Sequence, residues 1–267
     1  MPTGLRAYAV TLATAATVLA MTAAPAAATH PVPAATALTV VTLQFDDSNA
    51  DQYATLAVLQ AYGLSATFYV NSGNVGTSGH LSWAQLADLA AAGNEIAGHT
   101  ISHARLTQLH PADARQEVCG DRVALFGHGF APVSFAYPYG YYDDQAEQIV
   151  ADCGYNSGRA VSGVDDRRTF AETIPPADAY ATRIPTAVKS GTSLAAVEGY
   201  VTAAETHGGG WVQILIHHVC DHCNTYSMTL ENVTALIQWL AARAANGTSV
   251  RTTATVIGGP NQPPVQP

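Results

Sequence analysis

Charge is scarce in this chain, and positive charge scarcest: 11 Lys and Arg stand against 20 Asp and Glu in 267 residues, a net charge of -9. The basic residues form no cluster. A nucleic-acid surface gathers Lys and Arg against phosphates, so that class of partner is excluded. Cysteine is also sparse, at four residues. The "CDHC" segment has no second Cys pair to complete a four-ligand zinc site, and an exported chain favours disulfides over redox or metal chemistry. Cys220 and Cys223 are close enough in sequence to bridge locally, which leaves Cys119 and Cys153 to close a longer loop. No internal repeat is evident. Low complexity is confined to the first thirty or so residues and to the tail "GGPNQPPVQP".

The first of these segments reads as an export signal of bacterial type. Arg6 is followed by an uncharged Ala/Val/Leu/Thr run and then by Ala26, Ala27 and Ala28, small residues at which a signal peptidase cuts. A membrane anchor is the rival reading, but Thr and Ala dilute the apolar run and it ends at Pro25 rather than in a basic stop. The expected organisation is a signal peptide over 1–28, a short linker over 29–37, one domain over 38–257 and a flexible tail over 258–267. The mature chain is long enough for one sizeable core and short for two. The expected product is a secreted monomer with no membrane span after cleavage.

Within the domain, short apolar runs alternate with helical patterns. "LTVVTLQF", "ATFYV", "NEIAG", "VSFAYP", "YNSGRAV", "WVQILIHH" and "TSVRT" read as strands. Between them "DQYATLAVLQAYG", "SWAQLADLAAAG" with Ser82 as N-cap, "PADARQEVCGDRVALFGHG", "YDDQAEQIVADCG", "SLAAVEGYVTAAETHGG" and "TLENVTALIQWLAARAANG" read as helices. A less regular middle interrupts the pattern. Alternation of this kind implies right-handed βαβ units around a parallel sheet, and about seven of them close into a distorted (β/α) barrel. The fold class is therefore α/β, as a single domain.

In such a barrel, chemistry gathers at the carboxyl ends of the strands. Those ends carry Asp46 and Asp47 after the first strand, His99 and His103 after the third, "PYGYYD" after the fourth and His217 with His218 after "QILI". A pair of acids can divide its work between binding a cation and taking a proton from water, though alone it is an ordinary solvated turn. The i, i+4 spacing of His99 and His103 puts both imidazoles on one side of a helical turn, as a shared metal requires. An Asp, His, His set leaves coordination positions open, as in a catalytic site. His217 is placed to protonate a leaving group. Strand alternation lets only one of His217 and His218 face inward. Trp83 reads as a packing residue at a helix start, and Trp211 and Trp239 as core. Tyr137, Tyr139, Tyr141 and Tyr142 surround the expected rim, where packing and glycan contact are both open.

The ordered set "QFDDSNAD", "GHTISHARLTQL", "FAYPYGYYD" and "ILIHH" resembles the polysaccharide deacetylases of carbohydrate esterase family four, the NodB homology domain, from about Val41 to about Val256. The resemblance implies Asp46 as general base and His217 as general acid. It implies Asp47, His99 and His103 as ligands of one divalent metal, usually Zn2+, with Co2+ or Ni2+ as alternatives. The main-chain N–H of Tyr139 would hold the oxyanion. The implied partner is an acetylated polysaccharide, foremost a GlcNAc-containing polymer such as chitin or peptidoglycan. The alternatives are an O-acetyl xylan esterase and an inactive glycan-binding relative.

The chain departs from the family pattern twice. Ala136 stands where many members have the Arg that contacts the base, so that contact is expected to be missing. The fourth motif, which commonly supports the catalytic His, is not recognisable, and Asp165 or Asp166 would be weak substitutes.

Overall fold

A computed structural model describes residues 1–4, 38–165 and 167–267. The expected signal peptide and linker lie almost wholly outside these residues. The strands are β1 (Thr39–Phe45), β2 (Thr67–Val70), β3 (Glu95–Gly98), β4 (Ser134–Ala136), β5 (Ser157–Gly163), β6 (Thr182–Ile184), β7 (Gly210–Ile216), the short pair β8 (His218–Val219) and β9 (Ser227–Met228), and β10 (Thr248–Val250). The helices are α1 (Thr55–Tyr62), α2 (Trp83–Ala91), α3 (Pro111–Gly127), α4 (Asp144–Asp152), α5 (Leu194–Thr206), α6 (Leu230–Ala242) and α7 (Thr253–Ile257).

The main sheet is parallel throughout. β7 pairs with β1 along its whole length, and β2, β3, β4, β5 and β6 follow on the other side. β10 pairs only with Thr39–Val41, while β2 takes the other end of β1 through Gln44 and Phe45. The sheet curls until β6 approaches β7. Gln213 Nε2 donates to the Arg183 carbonyl at 3.0 Å, Val188 N–H donates to Leu215 at 2.9 Å, and Glu172 and Trp211 exchange backbone hydrogen bonds across the seam. The expected distorted barrel is thus present, with individual bonds rather than a continuous ladder at its closing edge.

Strand alternation sorts β1 into two faces. Val41, Leu43 and Phe45 belong to the apolar cluster with Leu59 of α1, Leu86 and Leu89 of α2, Val197 of α5 and Leu236 of α6. Thr42 and Gln44 take part in polar contacts within the barrel: Trp211 Nε1 donates to Thr42 Oγ1 at 2.8 Å, and Gln44 donates to Gln213 at 2.7 Å and to Thr253 at 3.1 Å. Asp46 is the next residue in the same phase. Apolar side chains therefore fix the helices, and a chain of polar ones leads to the rim.

Helix starts follow the sequence signals. Ser82 makes a capping box with Gln85, and Asp143, Ser193 and Thr229 cap α4, α5 and α6. Cys119–Cys153 and Cys220–Cys223 are both disulfides. Two expectations are corrected. The irregular middle contains β6, too short at three residues to show a period. The segment from Gly258, expected to be a loose end, is tied down: buried Arg122 donates to the carbonyls of Gln262 and Pro263 at 2.7 and 2.9 Å, and Asn156 to those of Gly258 and Pro260. Four hydrogen bonds from two side chains can hold an extended segment that has little apolar surface of its own.

Candidate metal and catalytic site

Asp46 to Asn49 turn sharply at the end of β1. Asp47 and Ser48 adopt positive φ angles of 73° and 51°, which aims the two acids differently: Asp46 is buried and Asp47 half-buried. Thr100, His103 and Tyr139, at φ 68°, 60° and 59°, belong to the loops after β3 and β4. Non-glycine residues hold this conformation at a cost that the surrounding contacts must offset, and such strain concentrates where side chains are aimed for function. The turn is stapled from behind: Gln52 Nε2 donates to the carbonyls of both Asp46 and His217 at 2.6 Å, and Asn49 also reaches the His217 carbonyl, at 3.1 Å. The ends of β1 and β7 are thereby locked together.

His99 and His103 do converge, but not on a helix. His99 directly follows β3, and His103 sits in an irregular loop whose two positive-φ residues fold the chain back, leaving the rings 4.8 Å apart. The two residues marked by the i, i+4 spacing are brought together, but by a loop rather than by a helical turn. Asp47 Oδ1 lies 3.4 Å from His99 Nε2 and 3.3 Å from His103 Nε2. That oxygen is buried with no hydrogen-bond donor. One orphaned carboxylate oxygen facing two imidazole nitrogens, all within 4.8 Å of one another, fits a small divalent cation bound by nitrogen and oxygen. His99 Nδ1 is 2.7 Å from the Ala136 carbonyl, an engagement that keeps the proton there and leaves Nε2 free as a ligand. Behind it, the buried Asp121 carboxylate accepts from the N–H groups of Ser72 and His99. A Cβ at Gly98 would collide with the Tyr155 hydroxyl.

Charge in this cluster is strongly coupled. Burial pushes the Asp47 carboxyl up, but the close imidazole of His99, then the charges of His217 and His103, outweigh it and hold it well below the usual range. Burial, followed by the charge of His99, pushes His103 down to about 4, the neutral form a ligand needs.

Asp46 points toward β5. Its Oδ2 accepts from Arg159 Nη2 at 2.5 Å, and both residues are buried. Ala136 of β4 is in register with Arg159 of β5. The expected loss of the arginine contact is therefore corrected: a guanidinium reaches the base position from the neighbouring strand at the same level. Sequence reasoning missed Arg159 because "YNSGRAV" reads as a strand without marking which residue faces Asp46 across the barrel.

His217 leaves β7 and faces the cleft, while His218 turns away to bond Asp51 at 2.8 Å. His217 is pushed below the usual histidine range, by burial first. Its Nδ1 is buried and has no partner among the described residues, the physical counterpart of the unrecognised fourth motif. Asp165 caps its own turn over Arg167–Thr169, and Asp166 lies outside the described residues. A second cluster of metal-ligand type, Asp51, His218, Cys220 and Cys223, surrounds the local disulfide, whose sulfurs are bonded to each other.

The cleft has a volume of about 390 Å³ and is lined by Asp46, Asp47, His99, His103 and His217 below a rim that includes Tyr139, Tyr141 and Tyr226. Tyr137 is not at the rim; it is buried and donates to the Tyr180 carbonyl. Trp83 stacks on His128, and Trp211 is buried, as packing residues.

The sequence profile of the polysaccharide deacetylase family matches residues 34–158. This segment, just under half of the chain, is thus similar to the polysaccharide deacetylase family. It is 31% identical over 121 residues to YxkH of Bacillus subtilis, assigned as a polysaccharide deacetylase, covering 44% of this chain and 43% of that one. It is 32% identical over 119 residues to an Arthroderma benhamiae protein assigned as a peptidoglycan-N-acetylglucosamine deacetylase, covering 43% and 27%. The matched region thus spans less than half the length of these relatives. The fold matches a family 4 carbohydrate esterase of Streptomyces lividans with a TM-score of 0.54 at 22% identity, over 79% of this chain and 91% of that one. It also matches a family 4 acetyl xylan esterase of Clostridium thermocellum with a TM-score of 0.56 at 18% identity, over 82% and 90%. Among the described residues no helix is long and apolar enough to cross a membrane.

Proposed function

We propose that this protein is a secreted, metal-dependent hydrolase that removes N-acetyl groups from a GlcNAc-containing polysaccharide. The single observation that carries this reading is the convergence of Asp47 Oδ1 with the Nε2 atoms of His99 and His103 beside the Arg159-held Asp46. A divalent cation, with Zn2+ preferred by the donor set, would be held by Asp47, His99 and His103 and would supply Lewis acidity toward the acetyl carbonyl and the attacking water. Asp46, fixed by Arg159, takes the proton as water attacks. His217, which lines the cleft, donates a proton to the departing amine nitrogen. The main-chain N–H of Tyr139 stabilises the developing oxyanion. Residues 1–28 are proposed as the export leader and 38–257 as the catalytic domain, acting as a monomer.

The test is acetate release from chitin oligomers, peptidoglycan and acetylxylan, after chelation and after zinc is restored, with Asp46→Asn as the diagnostic variant. Zinc-restored release from the N-acetylated polymers, and its loss by about 10² or more in Asp46→Asn with metal still bound, is expected. Release by the variant at the unaltered rate removes Asp46 as base. Release from acetylxylan alone replaces amide by ester hydrolysis.

A further inference from the structure

Most cations among the described residues have partners. Arg159 holds Asp46, Arg183 holds Glu172, Arg243 holds Glu205, and Arg122 is spent on carbonyls. Two others are different: Arg105 lines the cleft, and Lys189 stands behind a tyrosine that lines it. Arg105 lines it with its guanidinium 4.1 Å above the Tyr141 ring centroid and 5.2 Å from that of Tyr139. Lys189, the only lysine in the sequence, has its ammonium 5.8 Å from the ring of Tyr226, which lines the cleft beside His217. Neither side chain makes a hydrogen bond or ion pair with any described residue. Arg105 comes from the loop after β3 and Lys189 from the segment after β6, so the two reach the cleft tyrosines from separate parts of the chain.

Stacking on a tyrosine face holds a cation in place while leaving its N–H donors available. In a protein of net charge -9, one such cation in the cleft and another beside it are not explained by general solubility. They supply positive charge at and beside a cleft whose lining contains Asp46 and Asp47. An all-neutral glycan gives these donors only hydroxyls to meet. A carboxylate offers Arg105 a bidentate partner and Lys189 a charge-assisted one.

We propose that Arg105 and Lys189 select a glycan carrying carboxylates on the sugars that flank the acetylated residue, such as a uronic acid or a lactyl ether. This rests on the deacetylase reading for the identity of the reaction and narrows its substrate to an acidic polymer. The tyrosines stack on the sugar rings and orient the two cations, and the acetyl group sits over the Asp47, His99, His103 cluster.

The test uses one N-acetylated, carboxylate-bearing oligosaccharide and the same material after its carboxyl groups are reduced to alcohols. Both kcat/KM for acetate release and the binding affinity by calorimetry are measured for the metal-restored protein. Carboxyl reduction is expected to lower both by on the order of tenfold. That ratio shrinks as ionic strength rises, and Arg105→Gln/Lys189→Gln brings it to about one. Equal binding and turnover of the two glycans overturns the proposal while leaving the deacetylase reading in place, as does a ratio unchanged in the double variant. Preferential binding of the carboxylated glycan without acetate release from either sustains the cation assignment and overturns the deacetylase reading. No binding and no release from either overturns both.

Discussion

The two faces of β1 differ in chemistry along a run of seven residues, and the difference explains how the fold carries a site. The outward face, Val41, Leu43 and Phe45, is held by area removed from water, which is non-directional and tolerant of detail. The inward face, Thr42 and Gln44 followed by Asp46, is held by hydrogen bonds, each of which fixes a direction. A barrel filled with leucine and valine would be stable but would give Asp46 no buried guanidinium to lean on. The polar interior costs desolvation and returns orientation.

Breaking the inward face at its most charged point has the largest effect. Arg159→Leu leaves the Asp46 carboxylate buried without its partner, and a loss of about 3–5 kcal/mol in unfolding free energy is expected, measured by urea denaturation. Acetate release should fall through kcat with KM little changed. Ala136→Arg in an Arg159→Ala background restores a guanidinium from the in-register position of β4 and should recover part of that kcat. Absence of any recovery would mean that the two strands are not interchangeable suppliers of this contact.

On the outward face, Leu43→Ala is expected to cost about 2–5 kcal/mol while leaving metal affinity, read by competition with a chromophoric chelator, within about twofold, because distant sites add independently. A large change in metal affinity would show that the two faces are not separable. Gln44→Leu, deeper in the barrel, leaves Gln213 Oε1 without its 2.7 Å donor and should cost about 1–3 kcal/mol.

The smallest effect belongs to the seam. Glu172 accepts from Arg183 Nε and Nη2 at 2.9 and 2.7 Å. Burial pushes its carboxyl up, but the Arg183 hydrogen bond, two backbone N–H groups and the Arg183 charge hold it below the ordinary value of 4.5. Its folded-state pKa is depressed, so its stabilisation is complete above that ordinary value and is lost as pH falls through the folded one. Glu172→Gln should therefore destabilise by about 1–2 kcal/mol at neutral pH, discounted for the exposure of Arg183. The difference from the parent should disappear in strong acid; a difference that persists there would assign the effect to packing.

Much of this was legible in the sequence. β-branched runs and helix caps fix local conformation through sterics and backbone hydrogen bonds within a few residues, so β1, β2, β3, α2 and α6 could be read directly. The short β6 and the terminal segment could not, since three residues carry no period and the tail is held by Arg122 and Asn156 from elsewhere in the chain. In the same way, "FDD" and "HTISH" named the candidate ligands, because few residue types bind a divalent cation and their spacing is local. The loop geometry that joins His99 to His103, the choice of His217 over His218, the arrival of Arg159 beside Asp46 and the two tyrosine-held cations were decided by tertiary structure. Each depends on which side chains a curled parallel sheet brings to one level from strands far apart in sequence, and no local pattern of residues encodes that register.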